Sequence, residues 1–179
     1  MTAGPGARRA AIVEATLRVI GERGADAVTH RAVAAAAGVP LASTTYYFAS
    51  KDELVREAFA LAIERSLALV EAHAAGVDGP VVDRLVALAE AQLEDPGAPL
   101  AAQFELMLEA GRRPQLRDLA ARWDERYRAA VAELVGDEVD VDVALCLLEG
   151  ALINQVAFPV EGFVEGPLRR MLERVARAW

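Results

Sequence analysis

Side chains that can bind DNA are concentrated in one stretch of the chain, residues 29–51. Hydroxyl, imidazole, guanidinium and ammonium groups donate hydrogen bonds to phosphate oxygens, and small hydroxylated or apolar side chains contact base edges in the major groove. The groups of these kinds in the stretch are Thr29, His30, Arg31, Leu41, Ala42, Ser43, Thr44, Thr45, Tyr46, Tyr47 and Lys51. Their types and spacing predict that this stretch recognises duplex DNA.

Two short helices with a sharp break between them are predicted to position these side chains. Thr29 can cap the first helix because its hydroxyl accepts a backbone hydrogen bond in the first turn, and the alanines that follow favour helix. Gly38 ends that helix, since glycine enters the left-handed conformation without steric cost. Pro40 is placed to begin the second helix, where its missing N–H is harmless. The pattern predicts a helix–turn–helix whose second helix is polar and aromatic.

The distribution of charge agrees with this interpretation, although the net charge is −8. Residues 1–51 contain six basic and three acidic side chains, whereas residues 52–179 contain 13 basic and 24 acidic ones. A basic segment attracts phosphates and an acidic remainder is repelled by them, so we expect only the N-terminal part to face DNA. Ordinary unevenness of charge is the alternative explanation.

The rest of the chain predicts further helices and no sheet. The composition is 54% hydrophobic, and runs of alternating β-branched residues are absent from the sequence. Its one Asp-Gly pair, Asp78-Gly79, has no such runs beside it, so hairpin signals are missing as well. Ser50, with Glu53 three residues later, forms a capping box for a long helix. The predicted helices outside residues 29–48 are 8–23, 51–73, 81–93, 100–110, 115–135, 143–158 and 167–179, after a disordered leader of residues 1–7. The fold class predicted is all-α.

From Ile12 to Leu54 the sequence resembles the TetR family of bacterial transcriptional regulators. An apolar helix ending in glycine is followed by Thr29-x-Arg31-x-Val33-Ala34, Ala37-Gly38-Val39, Tyr46-Tyr47-Phe48 and Ser50-Lys51-Asp52-Glu53-Leu54. One departure concerns the commonly found Tyr-x-His-Phe of the family. Here Thr45 stands at the usual tyrosine position and Tyr47 at the usual histidine position. This departure puts the usual pattern of phosphate contacts in doubt.

The resemblance implies a fold of about nine helices and a function. Residues 6–66 would form a three-helix DNA-binding domain, and residues 67–179 a larger helical domain for effector binding and dimerisation. The protein would be a regulator, more often a repressor, that binds a palindromic operator in double-stranded DNA and is released by a small effector. Effector binding would shift the long helix that begins at Lys51.

The resemblance also implies roles for the side chains of residues 29–51. Leu41, Ala42 and Ser43, with Thr44 beside them, would meet base edges, and Arg31 would make the strongest base or phosphate contact. One of the two tyrosines is expected in the core and the other on DNA, and His30 could equally be exposed and idle. The side chains expected at phosphates are Thr29, His30, Thr45, Tyr46, Tyr47 and Lys51.

The segment VALCLLEGALINQVAF is apolar on nearly every side, which predicts burial on both sides. In the resembled family the last two helices pair with those of a second chain, so we expect a homodimer. The alternative is that both helices are buried within one chain. The expected interface residues are Leu147, Gly150, Ala151, Asn154, Leu168, Met171, Leu172 and Val175.

An effector pocket is harder to identify, because apolar residues at helical spacing are more often plain core. An apolar effector is the better expectation. The candidate lining residues are Phe59, Ile63, Phe104, Met107, Trp123, Tyr127 and Phe158.

Catalytic and metal-binding patterns are missing from the sequence. It has two histidines and one cysteine, Cys146, with no HExxH, no clustered Cys/His spacing and no glycine-rich phosphate loop, so we expect neither an enzyme nor a cofactor. Cys146 excludes an intramolecular disulfide and is expected to be a buried apolar residue. No run of about 18 apolar residues occurs, which predicts a soluble cytoplasmic protein without a membrane partner. The remaining alternative is a helical interaction or ligand-binding module that does not bind DNA.

Overall fold

The computed structural model describes residues 5–76, 78–95 and 99–178, and every regular element in these ranges is helical. The elements are α1 Pro5–Arg23, α2 His30–Ala37, α3 Leu41–Tyr47, α4 Lys51–Gly76, α5 Val81–Glu94, α6 Leu100–Arg112, α7 Arg117–Val135, α8 Val141–Ala157 and α9 Arg169–Ala176. Short 3₁₀ turns at Ala25–Ala27 and Pro114–Leu116 precede α2 and α7. The prediction of an all-α fold is confirmed.

Both ends of the chain differ from the predicted boundaries. Helix α1 begins at Pro5, so the leader predicted for residues 1–7 ends earlier; its residues 1–4 and the predicted terminal Trp179 lie outside the described residues. Pro167 does not begin the last helix but lies inside a π-helical turn, Val164–Leu168, that continues into α9. Because proline has no N–H to donate to the carbonyl of Phe163, the backbone N–H of Leu168 donates to that carbonyl instead, with an N–O distance of 3.0 Å.

The chain folds as two compact units. The first contains the chain up to Glu64 together with Ala101–Ala120. Its core is made by apolar side chains of α1, α2, α4 and α6 and of the segments that follow the first 3₁₀ turn and α3, among them Ile12, Leu17, Ile20, Val28, Val33, Phe48, Leu54 and Leu106. The predicted domains, residues 6–66 and 67–179, therefore differ from the units, because α6 and the start of α7 pack with the N-terminal helices. The division into units depends on contacts between residues far apart in sequence, and local sequence patterns do not predict such contacts.

The second unit contains Arg65–Leu100 and Ala121–Trp179. Leucines of α5, α7 and α8 fill its core, joined by Leu168 and Leu172. Asp140 caps α8 by accepting hydrogen bonds from the backbone N–H groups of Asp142 and Val143, as the sequence predicts. Arg169 pairs with Asp83, which ties the C-terminal segment to α5.

Helix α8 is not buried on all sides. Cys146 and Asn154 are exposed and Ile153 is 43% exposed, whereas Leu148 and Leu152 on the opposite side are buried. The expectation of a buried Cys146 is therefore wrong for the single chain. In the described residues, no helix combines the length and the apolar character that crossing a membrane requires.

Candidate DNA-binding site and subunit interface

The turn that positions the second helix is built as the sequence predicts. The Thr29 hydroxyl accepts a hydrogen bond from the backbone N–H of Ala32 at 3.0 Å, which caps α2. Gly38 ends α2 with a φ of 64°, a left-handed conformation that favours glycine. Pro40 was predicted to be the first residue of the second helix. It is instead the residue before α3, which begins at Leu41. The Thr29 hydroxyl is therefore already used within the protein.

The side chains of α3 that were predicted to contact DNA are at least partly exposed, except that of Thr44. Leu41 is 45% exposed, Ala42 and Thr45 are exposed, and Ser43 is half-buried. Thr44 is fully buried, and its hydroxyl donates to the Leu41 carbonyl at 2.8 Å. The expected contact of Thr44 with DNA is therefore contradicted by its burial.

The two tyrosines lie edge to face at the end of α3, with ring centroids 5.0 Å apart. Tyr46 is 82% exposed and Tyr47 is half-buried, so neither ring occupies the core. Phe48 takes that place, and the guanidinium of Arg9 lies 5.1 Å from the centroid of its ring. Both tyrosine hydroxyls therefore remain candidates for contact with DNA.

Arg31 and His30 begin α2 and differ in their surroundings. Arg31 is exposed and has no ion-pair partner among the described residues, so its guanidinium is available to DNA. The His30 ring is half-buried, and its Nδ1 atom has no hydrogen-bond partner in the same part of the chain. Of the two, Arg31 has the geometry expected of a strong DNA contact.

Lys51 has an internal role that the sequence did not suggest. Its Nζ donates to the Asp26 carbonyl at 3.0 Å and lies 3.7 Å from the Asp26 carboxylate. This contact ties the start of α4 to the turn that precedes α2. The Lys51 side chain is still 34% exposed, so a second donation to a phosphate is geometrically open.

The predicted capping box at the start of α4 forms with a shift of one residue. Ser50 Oγ accepts from the Glu53 N–H at 3.2 Å, and the Glu53 carboxylate accepts from the N–H of Ala49 at 2.6 Å, where Ser50 would be usual. The cap fixes the point at which the chain leaves the helix–turn–helix.

The α6 region contacts the helix–turn–helix side of the first unit directly. Glu105 accepts from the backbone N–H of Ala25 at 3.2 Å, although the two residues are 80 positions apart. Arg113 pairs with Asp52 and with Glu109. Burial raises the pKa of the Glu109 carboxyl, but hydrogen bonds from Arg113 and Arg112 outweigh it and leave that pKa below its usual value. Sequence reasoning missed these residues because no spacing rule connects them.

The candidate effector residues are divided between the two units. Phe59, Ile63, Phe104 and Met107 belong to the first, whereas Trp123 and Tyr127 belong to the second, where their rings stack with centroids 5.0 Å apart. Tyr127 Oη accepts from Gln92 Nε2 at 2.8 Å, and burial raises the pKa of Tyr127 above its usual value. Phe158 is 74% exposed and therefore cannot line a buried cavity in the single chain.

An open groove of about 290 Å³ on the second unit contains most of the predicted interface residues. Leu168 and Leu172 are excluded from it, because they are 0% and 3% exposed and pack inside their own unit. Val175 is half-buried and lies outside the groove. The groove adds Cys146 and Phe163, which the sequence did not suggest; its lining is Cys146, Leu147, Gly150, Ala151, Asn154, Phe163 and Met171.

Within the described parts of the chain, no three His, Cys, Asp or Glu side chains lie close enough together to hold a metal ion.

Two families match this chain in sequence. Residues 12–58 match the family described as bacterial regulatory proteins, tetR family, and residues 77–178 match the tetracyclin repressor-like C-terminal domain. The nicotine-responsive transcriptional repressor HdnoR of Paenarthrobacter nicotinovorans is 29% identical over 133 residues, which cover 72% of this chain and 67% of that protein.

Solved structures are similar over nearly the whole chain. The multidrug binding protein EbrR, complexed with ethidium, is 32% identical, with a TM-score of 0.69 and coverage of 94% of this chain and 98% of that one. A member of the TetR family from Streptomyces coelicolor A3 is 33% identical, with a TM-score of 0.73 and coverage of 94% and 97%.

Proposed function

Because this chain belongs to the TetR family and is a DNA-binding transcriptional regulator, we propose that it is a homodimeric repressor that a small effector releases from its operator. The family consists of transcriptional regulators and not, in general, of enzymes. This membership decides against a helical module that does not bind DNA.

The exposed face of α3 is the observation that carries the DNA-binding role. Leu41, Ala42 and Ser43 lie at its N-terminal end, where a recognition helix meets base edges. Alanine and leucine suit a thymine methyl group, and serine suits several base edges, but none forms the bidentate bonds that discriminate strongly. Arg31 supplies the strongest single contact, and DNA shape and the spacing of half-sites supply the rest of the specificity.

The remaining exposed groups position the protein on the sugar–phosphate backbone. The hydroxyls of Tyr46 and Tyr47, at the end of α3, donate to phosphates, while Lys51 adds a positive charge at the start of α4. The Thr45 hydroxyl donates to the Ala42 carbonyl at 3.2 Å, so its proton is used within the protein.

Thr29 acts through its backbone N–H group at the start of α2, since its hydroxyl is used as a cap. The half-buried ring of His30 stays a candidate for a phosphate contact.

A second copy of the chain is the proposed occupant of the groove on α8. The groove is lined mainly by small and apolar side chains, and Gly150 allows another helix to approach closely. A twofold pair uses the same patch on both chains and carries two recognition helices. Those helices fit successive major grooves of a palindromic operator, about 34–36 Å apart.

Effector control is proposed to act on α4 and on the contact between α6 and the turn before α2. The Glu105 carboxylate holds the Ala25 N–H, and Arg113 holds Asp52 at the start of α4. A shift of α6 therefore moves both ends of the helix–turn–helix. A free-energy difference of a few kcal/mol between two spacings of the recognition helices is enough to empty the operator.

The experiment that tests the proposed function is footprinting on the promoter regions that flank the gene. We expect one palindromic protected site, and its protection should weaken as salt is raised because phosphate contacts release counterions. Absence of a protected site at moderate salt would contradict the repressor proposal.

The α6 contact gives a separate prediction. Replacing Glu105 with methionine removes the acceptor of the Ala25 N–H, and we expect operator affinity to fall on the order of tenfold because the turn before α2 loses a charged hydrogen-bond partner. Fluorescence anisotropy with labelled operator measures the change. The matched control is Glu125→Met, which removes the same charge from an exposed site on α7. Equal affinities of the two variants would contradict a role of Glu105 in positioning the helix–turn–helix.

A further inference from the structure

One arginine side chain joins three elements of the first unit. Arg9 lies on α1, and its Nη2 donates to Glu57 Oε2 on α4 at 2.6 Å. The same guanidinium lies 5.1 Å from the ring centroid of Phe48, the residue that follows α3. A guanidinium at this distance over an aromatic ring is attracted to it. The three side chains form a clamp, the Arg9 clamp, that links α1, the end of α3 and α4.

Helix α3 depends on such a contact because it is short. It has seven residues, and an isolated helix of fewer than about 12 residues is marginal in water. Of these seven described residues, Thr44 alone is buried. Phe48 is 1% exposed, and its backbone N–H donates to the Thr44 carbonyl at 3.0 Å. The position of the Phe48 ring therefore determines where α3 ends and how its exposed face is oriented.

The clamp uses a positive charge that composition alone would assign to DNA. Arg9 is one of the six basic side chains of residues 1–51, but it pairs with a carboxylate, a group that repels phosphates. The Arg9 and Glu57 side chains are 45% and 32% exposed, and ion pairs this exposed contribute little to global stability. We therefore expect loss of the pair to change the orientation of α3 more than the free energy of unfolding.

We propose that Arg9 and Glu57 are positioning residues for DNA binding, which act on α3 through the ring of Phe48. Glu57 fixes the guanidinium, the guanidinium covers the ring, and the ring anchors the end of α3. The proposal rests on the DNA-binding role of α3. It adds an acidic residue whose presence strengthens the binding of DNA.

Replacing Glu57 with methionine separates positioning from charge, because the two effects predict opposite signs. Removing a carboxylate reduces the repulsion of phosphates, so charge alone predicts equal or higher operator affinity. Loss of the contact that fixes Arg9 predicts a lower affinity, about threefold for each chain or about tenfold for the dimer. Anisotropy with the operator found by footprinting measures the change. Glu22→Met, which removes an equal charge from an exposed site on α1, should not lower the affinity.

Arg9 variants separate positioning from a phosphate contact. Arg9→Met keeps the apolar stem and removes the cation, and we expect it to lower operator affinity about tenfold without changing the slope of log affinity against log salt. A phosphate contact would make that slope shallower by about 0.9 for each chain. Because Glu57 acts through Arg9, the double variant Arg9→Met/Glu57→Met should bind no more weakly than Arg9→Met. Arg9→Lys keeps a cation for both partners and should retain most of the affinity.

Hydrogen exchange tests the clamp in the absence of DNA. Backbone N–H groups of residues 41–48 should exchange faster in Glu57→Met and Arg9→Met than in the unaltered protein, because the end of α3 opens more often. Those of α5, in the second unit, should exchange at unaltered rates. If circular dichroism shows that Glu57→Met is not folded, Glu57→Ala takes its place.

Three outcomes would overturn the inference: an operator affinity of Glu57→Met equal to or above that of the unaltered protein, a shallower salt slope in Arg9→Met, or unchanged exchange of residues 41–48 in both variants. Each of them leaves the footprint of the unaltered protein, and with it the repressor proposal, standing. Conversely, a missing footprint would remove the repressor proposal, whereas faster exchange of residues 41–48 would still support the clamp.

Discussion

Replacing Gly150 with arginine should separate the dimer and lower operator affinity on the order of a hundredfold. Among the described residues, nothing lies within 4 Å of a Cβ added at Gly150, so the single chain accommodates a larger side chain. In the proposed dimer the same side chain would enter the groove on α8 and bury an unpaired charge, at a cost of about 3–5 kcal/mol. Each head would then bind its half-site alone.

Sedimentation velocity measures the dimer, and anisotropy with labelled operator measures the affinity. The matched control is Gly76→Arg at the end of α4, where an added Cβ also meets nothing within 4 Å in the described part of the chain. This control should stay dimeric and keep its operator affinity. A Gly150→Arg variant that sediments as a dimer would exclude the groove as the subunit interface.

Replacing Arg31 with alanine should weaken operator binding by about 1–3 kcal/mol, roughly five- to 150-fold. Its guanidinium is exposed at the start of α2 and is not engaged by the described residues, so its loss removes a DNA contact without removing an internal one. If Arg31 contacts a base, the Arg31→Ala variant should bind operators that differ at that one base pair with equal affinity, whereas the unaltered protein distinguishes them. Arg23→Ala, which removes an equal charge from the exposed end of α1, is the control. If the two variants lose operator affinity equally, Arg31 contributes only its positive charge and makes no specific contact with DNA.

Lys51 extends the same experiment, because its ammonium is shared with Asp26. A phosphate contact predicts that Lys51→Ala makes the negative slope of log affinity against log salt shallower by about 0.9 for each chain, or about 1.8 for the dimer. Asp26→Asn removes the ion pair but keeps the lysine, and it should leave that slope unchanged. An unchanged slope in Lys51→Ala would confine Lys51 to its structural contact with the turn before α2.

The caps of the helix–turn–helix were predictable because they depend on neighbouring residues. A threonine hydroxyl reaches an N–H three positions on, and Gly38 adopts its left-handed conformation with hydrogen bonds to the carbonyls of Ala34 and Ala35 in the same helix. The capping box at Ser50 is equally local, and its shift of one residue concerns only which N–H Glu53 reaches. Sequence patterns of this range fix the helix ends that carry a side-chain cap or a capping glycine.

The exposure of side chains on α3 was not predictable at the same level. In a helix of seven residues, adjacent positions point in different directions, and only packing against α2 decides that Thr44 is inside while Thr45 is outside. Phe48 lies in the core, but neither tyrosine joins it there, although one of the two was expected to do so. A burial difference of this kind is set by neighbouring helices and not by the residue type.

The sequence by itself determined the all-α class, the helix–turn–helix and the basic N-terminal segment, because periodicity, caps and charge are local or summed properties of the chain. Only the tertiary structure decided that α6 joins the N-terminal unit through Glu105 and Arg113, that Lys51 is held by Asp26, and that α8 exposes a groove. It also brought Gln92 to Tyr127 from 35 positions away. Such pairs depend on how helices pack, and packing joins residues whose distance along the chain leaves no periodic trace.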